Sequence, residues 1–276
     1  MKDLKKETNF NMDMNLKNRK VVITGVSEGI GKSLAIAFAK AGAKVAGSAR
    51  NKERLYAIER EISGTGHFFF SADFSKSEDI QMFHDKTISV FGGVDVLINN
   101  VGSIQKLAGF FDLSDEDWQK AFDINLMSAV RACRLFSAPL KKSIAPRIIN
   151  ITSVAASRPG DLFPHYSAVK AGLCNLTISL ARALADDKVL VNSVSPGPVW
   201  SKSWDDEAKN IANSSGDDLQ HVVDQIRSSS AQTLLLKRMG APDDVAGLVL
   251  FLASDLSSWI TASNFTVDGG FNQNPY

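Results

Sequence analysis

One segment near the start of the chain constrains the fold more than any other. Val21-Val-Ile-Thr24 is a short apolar run suited to a strand buried on both faces. It passes directly into Gly25-Val26-Ser27-Glu28-Gly29-Ile30-Gly31, and then into Lys32-Ser-Leu-Ala-Ile-Ala-Phe-Ala-Lys-Ala, closed by Gly42. Good helix formers with a glycine stop predict a helix over Gly31–Ala41. Strand, glycine turn and helix in that order begin a βαβ unit and argue for a parallel sheet. Glycines also let a backbone turn tightly and approach a pyrophosphate, while the helix N-terminus offers free N–H groups and a favourable dipole. A lone glycine turn is often a plain connection, and here the flanking strand and helix favour binding.

The remaining chain keeps the alternation. Further strands are predicted at Lys44–Ser48, His67–Ser71, Val94–Asn99, Arg147–Thr152, Val189–Val194 and Asn264–Val267. Further helices are predicted at Lys52–Ile62, Ser77–Phe91, Ser114–Leu140, Tyr166–Leu184 and Pro242–Ala253. The fold class is therefore α/β: a single doubly wound, Rossmann-type parallel sheet with helices on both faces. At 276 residues, 44% of them hydrophobic, the length fits one large domain with a sizeable core. Residues 1–18 are polar and aperiodic and are read as a mobile arm, with Met12 and Met14 as possible starts. Residues 19–276 form the domain, and residues 200–238 a small helical lobe of about two helices. Such a sheet binds its ligand at the carboxyl ends of the strands, where the glycine turn, Asn100, Ser153 and Pro196 all fall.

A second constellation carries chemistry. Tyr166 and Lys170 lie four apart in a helical run, so they share a face, and Ser153 lies thirteen residues upstream. Free tyrosine is a poor base, but a nearby cation favours the phenolate. Lys170 is thus expected to lower the pKa of Tyr166, and the Ser153 hydroxyl to hold the same substrate oxygen. Taken alone, a Tyr-x-x-x-Lys spacing is weak, and a helical tyrosine is more often a packing residue.

Gly-x-x-x-Gly-x-Gly differs from the commoner Gly-x-Gly-x-x-Gly and resembles the short-chain dehydrogenase/reductase family. Asn99-Asn100-Val101-Gly102 is similar to that family's Asn-Asn-Ala-Gly motif, and Asn125, Ser153, Tyr166 and Lys170 match its catalytic tetrad in order and spacing. Ser195-Pro196-Gly197-Pro198-Val199 resembles its nicotinamide loop, and Val267-Asp268-Gly269-Gly270 its C-terminal sequence. Val101 replaces the usual Ala, and Ser201 replaces a Thr while keeping a hydroxyl. The resemblance implies seven strands and hydride transfer between a nicotinamide and a ketone or secondary alcohol. It implies Tyr166 as acid/base, Lys170 on the nicotinamide ribose, Ser153 on the substrate oxygen and Asn125 holding a water. It places Gly25, Ser27, Glu28, Gly29, Ile30, Gly31, Asp73, Phe74, Asn100, Gly102, Tyr166, Lys170, Pro196, Gly197, Val199 and Ser201 at the cofactor.

Cofactor choice is read after the second strand, at Ser48-Ala49-Arg50. An acid there would bond a ribose 2′-hydroxyl, whereas Arg50 suits a 2′-phosphate. Glu28 in the glycine turn argues the other way, since a carboxylate repels a phosphate. NADP(H) is favoured, with NAD(H) open. For substrate, Arg158, Phe163, Trp200 and Trp204 lie near the chemistry in sequence. The aromatics either line an apolar pocket or pack the lobe, and Arg158 either binds an anion or is a surface charge. The substrate is a small molecule; a 3-oxoacyl carrier-protein substrate, docking on Lys141, Lys142 and Arg147, is an alternative, and a non-catalytic cofactor sensor a third. A formal charge of +1 implies no affinity for nucleic acid or anionic membrane, and no run is long enough to span a bilayer. Cys133 and Cys174 are expected as buried thiols, and no metal-ligand spacing occurs. A cytoplasmic homo-oligomer, tetramer or dimer, is expected, paired through the helices at Ser114–Leu140 and Tyr166–Leu184.

Overall fold

The computed structural model describes residues 13–273. Its seven strands are β1 (Lys20–Thr24), β2 (Lys44–Ala49), β3 (Phe68–Ser71), β4 (Val96–Asn99), β5 (Arg147–Ile151), β6 (Leu190–Pro196) and β7 (Asn264–Val267). Its α-helices are α1 (Gly29–Lys40), α2 (Lys52–Glu61), α3 (Ser77–Phe91), α4 (Asp115–Phe122), α5 (Ser128–Leu140), α6 (Pro164–Ala183), α7 (Lys202–Ser215), α8 (Leu219–Gln232) and α9 (Pro242–Ala253). The strands form one parallel sheet in the order β3-β2-β1-β4-β5-β6-β7. Successive side chains on a strand face opposite sides, so one apolar run feeds two cores. Val21 and Ile23 pack with Leu34 and Phe38 of α1, Ile58 of α2 and Val249 of α9. Val22 packs on the other side with Phe83 of α3, Phe136 of α5 and Ala181 of α6. The chain leaves β1 for one side of the sheet and returns through β4 on the other, which opens a crevice at the carboxyl ends of β1 and β4.

Several expectations are corrected. The helix predicted at Ser114–Leu140 is two α-helices joined by a π turn at Asp123–Met127. α6 begins at Pro164, two residues before Tyr166, because proline suits a first helical position. Of the predicted arm, residues 1–12 lie outside the described residues. Leu16 is buried in the core, and Asn15 donates a side-chain hydrogen bond to Asp255 at 2.8 Å. Arg147 is no docking cation. It is 5% exposed and donates to the carbonyls of Pro146 and Ser254, while Lys141 pairs with Asp187 at 2.8 Å. On the helix predicted at Tyr166–Leu184 as a pairing surface, Leu173 and Leu184 are buried within the chain itself. Both cysteines are free thiols. No helix among the described residues is long and apolar enough to cross a membrane.

Candidate active site

The glycine turn is fastened from behind. Backbone N–H groups of Gly25 and Val26 both donate to the Ser48 carbonyl, at 2.8 and 2.9 Å, which sets the turn against the end of β2. Gly25 takes φ +76°, a left-handed conformation that favours glycine. A Cβ on Gly31 would lie 1.9 Å from the Gly25 carbonyl oxygen and 2.4 Å from Asn100 Nδ2. Asn100 is the buckle: Nδ2 donates to the carbonyls of Thr24 and Gly25 at 3.0 and 2.9 Å. Thr24 Oγ1 in turn accepts the N–H groups of Asn100 and Val101 at 3.0 and 3.1 Å. The Thr24 role was missed in the sequence, where only its place at the strand end hinted at it. Ser27 is half-buried in the turn, and Ile30 packs against the core. Glu28 is the N-cap of α1 but makes no side-chain capping bond, so the first-turn N–H groups have no acceptor from the cap. These donors fit an anionic dinucleotide.

The four candidate catalytic residues come from three elements. Ser153 follows β5, and its hydroxyl accepts the Ala155 N–H at 3.1 Å. Tyr166 and Lys170 share one face of α6, with Lys170 Nζ 5.6 Å from the centre of the tyrosine ring. Asn125, 1% exposed, sits in the π turn. Its Oδ1 accepts the Ser103 N–H at 2.9 Å, and its Nδ2 donates to the Ser103 and Ala121 carbonyls. Gly102 brings this amide to the lysine, since a Cβ there would lie 2.8 Å from Lys170 Nζ and 2.9 Å from Asn125 Oδ1.

The electrostatics correct one expectation. Burial pushes the Tyr166 phenol above its ordinary pKa, and a hydrogen bond with Ser153 pulls it down. Burial, the larger cause, sets the direction, and the Lys170 ammonium donates to the Ile151 carbonyl at 3.0 Å. Burial lowers the pKa of Lys170 itself to about 8. His165, beside Tyr166, is fully buried, and neither ring nitrogen has a hydrogen-bond partner among the described residues. Burial lowers its pKa, Asp117 on α4 raises it, Lys106 lowers it, and its ring meets Trp118 edge-on at 6.1 Å.

The nicotinamide loop is stitched to β7: Gly197 donates to the Val267 carbonyl at 3.0 Å. Pro196 is paired with Val267, Val199 bridges to Gly240, and Ser201 stands at the N-cap position of α7, without a side-chain capping bond, beside Gly29. Asp73 works against burial, yet Ser75 hydrogen bonds and the Arg50 charge hold its carboxyl below the ordinary range. The Phe74 ring lies in the core against Phe83, so its side chain is no cofactor contact. Arg50 is exposed at the end of β2.

Of the substrate candidates, only Phe163 joins the catalytic group, its ring edge-on to Tyr166 at 6.3 Å. Arg158 is engaged by the C-terminal segment: it donates to the Phe271 carbonyl and lies 4.4 Å over that ring. Trp200 and Trp204 stack at 6.2 Å in the lobe, Arg227 covers Trp200 at 4.4 Å, and Trp200 Nε1 donates to Asp205. Trp200 also lines a cavity of about 700 Å³ with Arg227, Lys237 and Met239, away from the tetrad.

Residues 25–272 match the family described as enoyl-(acyl carrier protein) reductase. The uncharacterized oxidoreductase YvrD of Bacillus subtilis is 34% identical over 260 residues, covering 94% of this chain and 98% of that protein. The 3-oxoacyl-[acyl-carrier-protein] reductase of Staphylococcus epidermidis is 33% identical over 259 residues, covering 92% and 98%. Among solved structures, L-sorbose reductase from Gluconobacter frateurii, complexed with NADPH and L-sorbose, superposes with a TM-score of 0.87 at 29% identity, over 95% of this chain and 100% of that one.

Proposed function

Because this chain belongs to the short-chain dehydrogenase/reductase family, we propose that it moves a hydride between NADP(H) and a ketone or secondary alcohol, with Tyr166 as the proton donor and acceptor. What carries the proposal is the convergence of Ser153, Tyr166, Lys170 and Asn125 on one edge of the sheet, beside a glycine turn whose helix N-terminus lacks a side-chain cap. The bound cofactor supplies the hydride. Around it the glycine-turn N–H groups hold the pyrophosphate, and Ser153 orients the substrate oxygen toward the Tyr166 hydroxyl. Tyr166 gives that oxygen a proton on reduction and takes it back on oxidation. Lys170 holds the nicotinamide ribose, while Asn125, fixed by Ser103, holds the lysine side of the proton path. Arg50 favours NADP(H) over NAD(H). The protein works on a small molecule as a homo-oligomer.

A 3-oxoacyl thioester is the second substrate class, favoured by the similarity to the Staphylococcus epidermidis reductase. Following nicotinamide absorbance with NADPH or NADH across ketones, sugars, steroids and 3-oxoacyl thioesters tests both. Tyr166→Phe should lower turnover by about 10²–10⁴-fold with cofactor affinity little changed. Wild-type turnover in that variant would remove Tyr166 from its role.

A further inference from the structure

Glu28 has a partner that changes its meaning at the cofactor edge. Its carboxylate forms an ion pair with Arg54, and both side chains are about two-fifths exposed, at 42% and 40%. Arg54 stands in the first turn of α2, just after Arg50, and its N–H is held by the Asn51 cap at 2.8 Å. Its side chain therefore reaches from α2 back to the glycine turn. The two are brought close by the sheet: Thr24 pairs with Ser48, and the Ser48 carbonyl accepts the turn's first N–H groups. α7 overlooks the same corner, because a Cβ on Gly29 would stand 3.7 Å from Ser201 Cβ. From α7, Asp206 pairs with Lys202 at 2.7 Å and feels the charges of Lys202, Lys209 and Arg54. The corner so holds Arg54, Lys202 and Lys209 against Glu28 and Asp206, and Arg50 follows the end of β2 close by in sequence.

We propose that Arg54 is a specificity-determining residue for the cofactor: Glu28 holds its guanidinium at the glycine turn, and a ribose 2′-phosphate takes that guanidinium over from the carboxylate. This rests on the NADP(H) preference proposed above. An unpaired Glu28 would repel the phosphate, whereas paired with Arg54 it carries no net charge into the corner. A phosphate offers the planar guanidinium two charge-assisted hydrogen bonds, but a 2′-hydroxyl offers nothing that outweighs Glu28. The ion pair thus discriminates, since the exchange occurs only with the phosphorylated cofactor.

Equilibrium titrations of tryptophan fluorescence with NADPH and with NADH test this on wild type, Arg54→Gln, Arg54→Lys, Glu28→Gln and Arg50→Gln. Arg54→Gln should weaken NADPH binding by about 10-fold or more, as expected for a lost charge-assisted hydrogen bond, and change NADH binding by less than about twofold. Unchanged NADH binding also shows that the variant is folded. Arg54→Lys, which keeps charge without the fork, should fall between. Glu28→Gln, which frees the guanidinium, should tighten NADPH binding a few-fold. A wild type that prefers NADH would overturn the NADP(H) preference. A wild type that prefers NADPH, with Arg54→Gln keeping that preference and Arg50→Gln abolishing it, would overturn the Arg54 role alone.

Discussion

The glycine turn with its catalytic neighbours and the helical lobe approach each other where Gly29 meets Ser201, and they are built by opposite means. The turn is backbone against backbone, with Gly31 so close to the Gly25 carbonyl that no side chain fits between. The lobe has a satellite core of only Ala208, Ala212 and Val222, and it is held by surface pairs and stacked rings such as Trp200 on Trp204. Surface ion pairs contribute little to stability, whereas a close backbone approach tolerates no added atom. The turn is therefore rigid by construction, whereas the lobe can vary at small energetic cost.

The sharpest attempt to break this contrast is Gly31→Ala. Its Cβ would meet backbone that cannot move aside, so cofactor affinity should fall by at least about 100-fold, the equivalent of roughly 3 kcal/mol of strain. A titration showing near-native binding would mean that the turn is not rigid. Gly102→Ala is milder, because the atoms in its way belong to the side chains of Lys170 and Asn125. Turnover should drop by about 10-fold while the cofactor still binds, a loss of roughly 1.4 kcal/mol, and steady-state kinetics beside a binding titration separates the two.

His165 probes the rigid half through pH. A base whose pKa is depressed by burial binds fewer protons folded than unfolded. Its contribution is whole above about pH 6.5, the ordinary histidine value, and stability falls as pH drops below that. His165→Phe, which keeps an aromatic against Trp118, should flatten this slope in melting curves between pH 5 and pH 8 (roughly the histidine range). An unchanged slope would assign the acid sensitivity to another group. The smallest effect belongs to the lobe. Trp204→Ala should change KM by only a few-fold and the melting temperature by a few degrees, about 1 kcal/mol. A collapse in turnover there would end the distinction between the halves.

Much of the sheet and the tetrad was legible because both are written in local spacing. Val21–Thr24 and the glycine turn, or Tyr166 and Lys170 four apart, need only the regular geometry of strands and helices. What escaped depends on residues far apart in sequence. Arg147 looked like a surface cation until Ser254, 107 residues away, gave it a carbonyl. Arg158 meets Phe271 across 113 residues, and Arg54 meets Glu28 only because β1 and β2 are neighbours. The direction of the Tyr166 shift also escaped, since helical spacing places a lysine nearby but does not say how far burial will raise the phenol. The break in the helix predicted at Ser114–Leu140 left no mark in the sequence, because Asp123-Ile-Asn-Leu-Met127 holds neither a proline nor a glycine.

That break bears on how the chain could have come about. A π turn holds one residue more than an ordinary helix would need. Remove one residue between Phe122 and Ser128 and a plain helix results, in which α4 and α5 keep their faces and only the residues of the turn itself are re-aimed. Asn125 would then swing away from Ser103 and Gly102 while the core face of α5 stayed where it is. The surplus residue at Asp123–Met127 separates two inheritances: a helix face shaped by packing, and an amide aimed by a local insertion that can be gained or lost in a single genetic event.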